Sequence, residues 1–435
     1  MKKHLLTAVV LFFVVAMHAA VAAAAPPPRV DPSYGSNGVV DLGGSPGQAT
    51  LAAAAVPDGS SFVIRVSRSC GPSSCERTLT LQRYGPRGEL DTAFGGSGAV
   101  TVVETDTSFF RSGLAVDAEG RPILARATPT AIRVSRFEGN GAPDQSFGSG
   151  GQVSFPCGCK EGSVAVTVLP EGKLLLREAV SAGAGTEALI LRRLQPDGGL
   201  DGSFGEGGRT ELHFQSGASP SLFAPRPNGS VLFAGNSGCC ATGSPVPYVS
   251  LLSARGRVVQ GFEATARRAL RPLSAGPSEF PEGPDPAALI ARPNGRIDVV
   301  GNRGRQGLVL RLLPSGRADR SFGRKGVWRL PWSVATATRD IAGGVTALAE
   351  NGGNGKVRVY RLFPGARAER RLGGAFLVPI EGVGTFNGVT ATALPRGRLH
   401  LFVSGNPECR YGSCPQEARL VMLTEPPLHK RGGHA

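Results

Sequence analysis

The chain has 435 residues, with 48 Lys and Arg against 33 Asp and Glu, a formal net charge of +15, 62 Gly, 34 Pro and 6% aromatic residues. Abundant Gly and Pro, few aromatics and almost no helical patterning exclude a helix bundle and favour many short strands joined by tight turns. Beyond the N-terminus no apolar run reaches the roughly 20 residues that a membrane-spanning helix needs.

Met1-Lys2-Lys3-His4 opens the chain, Leu5 to Val15 is apolar except for Thr7, and small residues fill Ala16 to Ala25. A charged start, an apolar stretch and a small-residue zone form a secretory signal, so residues 1–25 are expected to be removed on export. The rival, an N-terminal membrane anchor, has too short an apolar run. Export would place the protein outside the cell or in its envelope, with 46 basic and 33 acidic residues and a net charge of +13. Only seven Lys occur in the whole chain, and almost all the bases are Arg. The arginines are dispersed and no nucleic-acid motif accompanies them. They read as compositional bias spread over the surface, and no nucleic-acid partner is expected.

From residue 31 onward one phrase returns seven times. It stands at Asp31-Pro-Ser-Tyr-Gly35, Asp91-Thr-Ala-Phe-Gly95, Asp144-Gln-Ser-Phe-Gly148, Asp201-Gly-Ser-Phe-Gly205 and Asp319-Arg-Ser-Phe-Gly323, with worn copies at Gln260-Gly-Phe262 and Glu369 to Gly373. The copies are 50 to 60 residues apart, a period that signals propeller blades or solenoid units. Between copies the third unit is clearest. Ser163 to Leu169, Lys173 to Glu178, Ala188 to Leu194 and Gly208 to Leu212 read as four strands, punctuated by Pro170-Glu-Gly172 and Pro196-Asp-Gly198. In each phrase the Asp is expected to accept backbone N–H bonds two residues on. The aromatic residue is expected to wedge between blades, and the glycines to supply positive φ. One Asp per loop, with Ser, Thr, Gly or Arg beside it, suits a turn better than a calcium site, and no metal or cofactor is expected.

After the fourth unit comes the longest irregular stretch, Glu263 to Asp285, with prolines at 272, 277, 281 and 284. The chain then closes with three strands, Val389 to Leu394, Leu399 to Val403 and Ala418 to Leu423, and no phrase, whereas it opens with a phrase and one strand, Gly38 to Leu42. The ends are complementary. The expected fold is therefore all-β: a seven-bladed β-propeller of four-stranded antiparallel blades, spanning 26–424. Its ring is closed by the N-terminal strand joining the C-terminal blade, which removes an exposed edge. A polar tail, 425–435, follows.

The stretch Leu194-Gln-Pro-Asp-Gly-Gly-Leu-Asp-Gly-Ser-Phe-Gly205, and its spaced recurrence over nearly all of the chain, resembles the bacterial delta-60 repeat. That resemblance implies an exported bacterial β-propeller. It supplies no catalytic residues, and members of the family are largely of unknown function.

Eight cysteines lie in close pairs, Cys70 with Cys75, Cys157 with Cys159, Cys239 with Cys240 and Cys409 with Cys414. In an exported chain they read as local disulfides, Cys239 and Cys240 being least sure because a vicinal bridge is strained. Zinc, the rival, lacks the usual ligand spacing. In an antiparallel blade the turns after the first and third strands share one face. The loops after the second strand share the other with the links between blades. All four cysteine pairs fall on this second face, and so does the 263–285 stretch. It brings Arg267, Arg268 and Arg271 there, with Arg303 and Arg305 one blade on. These arginines are the candidate binding residues, suited to an anionic cell-envelope polymer. Glu263, Glu279, Glu282 and Asp285 mix the local charge.

No His-Glu-x-x-His and no phosphate loop of Gly-Lys-Ser/Thr form occurs in the chain. The favoured reading is a non-catalytic binding or scaffold propeller, expected as a monomer. The alternative is an extracellular lyase or hydrolase with its site at the central channel.

Overall fold

The computed structural model describes residues 28–44, 48–70, 75–104, 112–128, 130–157, 163–181, 187–214, 220–237, 246–274, 286–340, 343–350, 356–362, 372–379, 385–406 and 417–424. The expected signal 1–25 and tail 425–435 lie outside these, as do Cys159, Cys239, Cys240, Cys409 and Cys414.

Seven antiparallel sheets follow one another along the chain. Blade 1 holds Gln48–Ala55, Ser61–Cys70, Cys75–Tyr84 and Ala99–Glu104. Blade 2 holds Ser112–Val116, Pro122–Ala127, Ala131–Arg136 and Gln152–Pro156. Blade 3 holds Ser163–Val168, Leu174–Ser181, Glu187–Leu194 and Arg209–Phe214. Blade 4 holds Pro220–Pro225, Val231–Ser237 and Val246–Leu252. Blade 5 holds Pro286–Ala291, Ile297–Arg303, Gln306–Leu312 and Val327–Arg329. Blade 6 holds Thr336–Arg339, Val345–Glu350, Lys356–Leu362 and Leu372–Pro379. Blade 7 holds Thr385–Leu394, Arg398–Asn406 and Glu417–Thr424.

At the boundaries between blades 1 and 2, 2 and 3, 4 and 5, 5 and 6, and 6 and 7 the first strands of the two blades neighbour each other, so the first strands are the inner ones. The chain is a seven-bladed β-propeller. Its first and third turns point to one side, the turn face. Its second-to-third loops and inter-blade links point to the other, the loop face.

The ring closes as the complementary ends require. Val39–Asp41 pairs with Val421, Leu420 and Arg419 on the last strand. A second short strand, Arg29–Val30, pairs with Thr424 and Leu423 and extends the closure beyond the expected strand. Burial follows the same plan, because seven apolar clusters each straddle one boundary between blades. Phe94, Phe147, Phe204 and Phe322 are buried in the boundaries that follow blades 1, 2, 3 and 5, and Tyr34 in the closing one.

Blade 4 departs from the expected pattern. Where a fourth strand and then a loop were expected, Phe262–Ala269 forms a helix, α1, followed by a 3-10 turn at Arg271–Leu273. Elsewhere the phrase's aromatic residue is followed by a glycine at positive φ: Gly35 at 53°, Gly95 at 64°, Gly148 at 59°, Gly205 at 57° and Gly323 at 50°. At this place stands Glu263, which resists that conformation, so the chain continues into a helix instead of turning back. Phe262 keeps the wedge position. With Ala266, Leu270 and Leu273 it forms one apolar helical stripe packed between blades 4 and 5.

Candidate binding face

The turn face is the rigid side. In blade 2 the Asp144 carboxylate accepts the Ser146 N–H at 2.9 Å and its hydroxyl at 2.6 Å, as the phrase predicts. The partner of its other oxygen was not foreseen from the sequence. Arg136 donates Nε to Asp144 at 2.6 Å and Nη1 to the Pro196 carbonyl of blade 3 at 2.7 Å, with its guanidinium 4.7 Å from the Phe147 ring centroid. Arg193 repeats this in blade 3 with Asp201 at 2.8 Å, the Ala254 carbonyl and Phe204. In blade 1 Arg83 pairs with Asp91 at 3.2 Å and reaches the Gly139 carbonyl at 2.8 Å.

Burial pushes the Asp144 carboxyl upward, but the Ser146 bonds and Arg136 overcome it and hold the group down at about 2. Asp201 is lowered in the same way, with burial again opposed by Ser203, Lys173 and Arg193. In blade 5 the roles shift. Asp298 is fully buried between Arg292 and Arg311, while Asp319 turns to Arg296 at 2.8 Å. The expectation of arginines spread over the surface thus needs correction: Arg126, Arg136, Arg192, Arg193, Arg292, Arg311, Arg361 and Arg419 are buried.

Backbone bonds complete the stitching. The N–H groups of Gly35, Gly95, Gly148 and Gly205 donate to Arg87, Asn140, Asp197 and Arg255 in the next blade, at 2.6 to 2.9 Å. Gly141 permits this approach, since a Cβ there would lie 2.7 Å from the Gly95 nitrogen.

Of the candidate arginines, Arg303 and Arg305 lie on the loop face, whereas α1 starts beside Gly316 of the turn face, which corrects the expectation for Arg267 and Arg268. Arg267 is held by Glu263 at 2.8 Å along α1, and Arg268 and Arg271 are exposed at the end of that helix and just beyond it. Arg303 and Arg305 are exposed on the tight hairpin joining Ile297–Arg303 to Gln306–Leu312. Sequence reasoning missed what stands beside them. Trp332, on the link from blade 5 to blade 6, is 47% exposed, and the Arg358 guanidinium lies 3.9 Å from its ring centroid. Two anchors fix that link. The Trp332 carbonyl accepts the Gly307 N–H at 2.8 Å, and Asn302 exchanges two hydrogen bonds with Val334 at 2.7 and 2.8 Å. Arg329 donates to Gln306 at 2.8 Å beside the same hairpin. The result is an anchored, exposed indole with Arg358 stacked over one face, on a link tied to the hairpin that carries Arg303 and Arg305. Pro331-Trp332 between strands of successive blades was the available signal, since an exposed large aromatic on a link has no packing role.

The described inner strands carry one ionisable residue, Arg339, among mostly small or apolar side chains. Among the described residues, no three His, Cys, Asp or Glu come together to hold a metal, and no helix is long and apolar enough to cross a membrane.

Neither a protein-family model nor a curated protein matches the chain. Solved structures do. Prolyl oligopeptidase B from Galerina marginata is 10% identical over 83% of this chain and 48% of its own, with a TM-score of 0.44. This chain therefore spans about half the length of that enzyme. A protein of unknown function from Dyadobacter fermentans is 11% identical over 89% of this chain and 100% of its own, with a TM-score of 0.44. The Dos1 propeller is 11% identical over 91% and 95%, also at 0.44.

Proposed function

We propose that this is an exported, non-catalytic propeller of the delta-60 repeat type that binds an anionic cell-envelope polymer through its loop face. The observation that carries the reading is Trp332, exposed on a link that Gly307 and Asn302 hold in place, with Arg358 stacked on its ring and Arg303 and Arg305 exposed on the hairpin the link is tied to. A fixed aromatic face stacks on the apolar face of a sugar ring, and guanidinium forks pair with carboxylate or phosphate groups. Rigid scaffolds that present such groups on links and loops are the usual form of a binding module. Channel catalysis would need convergent acids, bases or imidazoles. The described inner strands supply Arg339 alone, which favours binding over the lyase or hydrolase alternative.

The test is titration of purified protein with a polyuronate and with a teichoic-type polymer at about 50 and 500 mM salt. Affinity should fall with salt, and at least about tenfold, near 1.4 kcal/mol, with Trp332→Ala or with Arg303→Ala plus Arg305→Ala. Arg267→Ala plus Arg268→Ala should cost less, because Arg267 is already engaged by Glu263. Binding that ignores salt and these changes would remove the assignment.

Export goes with bridged cysteines. Cys157 is half of a disulfide, and the register sets Cys70 opposite Cys75 at the end of a hairpin; both support the reading. Non-reducing mass mapping of secreted protein should recover Cys70–Cys75, Cys157–Cys159 and Cys409–Cys414 as linked peptides. Free thiols at all of them would argue for a reducing compartment.

A further inference from the structure

The turn face is charged in two separate arcs. Its segments in blades 1 to 5 are all among the described residues. In blades 1 to 3 they expose Asp58, Glu89, Glu119, Glu171, Asp197 and Glu206. Arg87 is the one exposed base there; Arg121 is paired with Asp117 and Asp144, and Lys173 with Asp201. In blades 4 and 5 the same turns expose Arg255, Arg257, Arg317, Arg320, Arg324 and Lys325, and among the described residues none of the six is ion-paired. Their one carboxylate, Asp319, is buried against Arg296, and Glu263, the next along the chain, is paired with Arg267. Compositional bias would scatter charge over all blades. It does not put acids on three successive blades and bases on the next two.

We infer that the turn face is an interface for a second copy of this chain. A twofold axis lying in the plane of the face and passing between blades 3 and 4 exchanges blade 3 with blade 4 and blade 2 with blade 5. The acidic arc of each copy then meets the basic arc of the other, and every contact occurs twice, as a closed isologous dimer requires. A polyanion would satisfy the basic arc and leave it beside an acidic one that repels the same ligand, whereas a second copy satisfies both. The turns are also held in place before contact by the inter-blade hydrogen bonds and buried Arg–Asp pairs. Little ordering cost therefore opposes the complementary fields. The sequence reading expects a monomer; the arcs come into view only when the ring sets the turns of successive blades side by side. In this dimer both loop faces point outward, so two Trp332 plates face opposite directions.

Sedimentation velocity on purified protein tests this over a range of concentrations. At about 50 mM salt the wild type should reach dimer mass, and at about 500 mM it should return to monomer. Arg317→Glu with Arg320→Glu, Arg324→Glu and Lys325→Glu makes blade 5 acidic like blades 1 to 3 and should be monomeric. Glu89→Lys with Glu119→Lys, Asp197→Lys and Glu206→Lys turns the acidic arc net basic and should also be monomeric. Mixed in equal amounts, the two variants should pair. Trp332→Ala should leave the dimer unchanged, which separates this interface from the polymer site. A wild type that stays monomeric at low salt, a dimer that survives either reversal, or reversed variants that ignore each other would overturn the inference.

Discussion

A buried guanidinium is tolerated when its nitrogens find oxygens without needing water. Arg136 and Arg193 meet that condition by joining the Asp of their own blade to a carbonyl of the next one, so one side chain fixes both a turn and a blade boundary. Half of this was legible. The Asp–Ser turn follows from adjacent residues, whereas the arginine stands eight residues earlier and acts across a boundary that a linear reading does not display. The constant eight-residue step from Arg83, Arg136 and Arg193 to Asp91, Asp144 and Asp201 was the missed signal.

His400 shows the opposite economy. It is fully buried, its Nε2 lies 3.3 Å from the Tyr34 hydroxyl of the closing segment, and burial, assisted by Arg398, pushes its pKa from 6.5 down to about 4. The unfolded chain takes up a proton below 6.5 and the folded one refuses it until about 4. Stability is therefore full above pH 6.5 and declines as pH falls to 4, by about 3 kcal/mol from this residue. Urea unfolding at pH 7, 5.5 and 4 should record that decline, and His400→Gln should flatten it; an unchanged slope in the variant would assign the effect elsewhere.

At the scale of elements, the strands and their turns were readable because period-2 runs alternate with Gly and Pro punctuation. The helix was not. Its stripe of Phe262, Ala266, Leu270 and Leu273 starts inside a decayed phrase, and a repeat template prompts a strand there. The residue that should have decided it is Glu263, in a slot where the other copies place a glycine at positive φ. The binding face was legible only in part for a related reason. Arg303 and Arg305 are two residues apart in one hairpin, but Trp332 and Arg358 come from a link and from the next blade. Proximity between blades is created by the ring, not by spacing along the chain.

For the whole molecule the count of seven and the complementary ends were enough to fix the architecture, because a ring leaves few ways to place an unpaired edge. The detail of closure carries one more consequence. Arg29 stands opposite Thr424, and Val30 opposite Leu423, in antiparallel register. A chain leaving Thr424 therefore needs only a tight turn to re-enter at Arg29, and the closing pair would become an ordinary hairpin. Nothing in the packing then requires the break in the backbone to lie in blade 7. A circular permutant that joins Thr424 to Arg29 through about two to four turn residues and opens at the exposed Asn228-Gly229 turn should fold to the same ring. Calorimetry should place its melting temperature within about 5 °C of the parent. A fall well beyond about 5 °C would show that blade 7 is a privileged seam and not one of seven interchangeable places to begin.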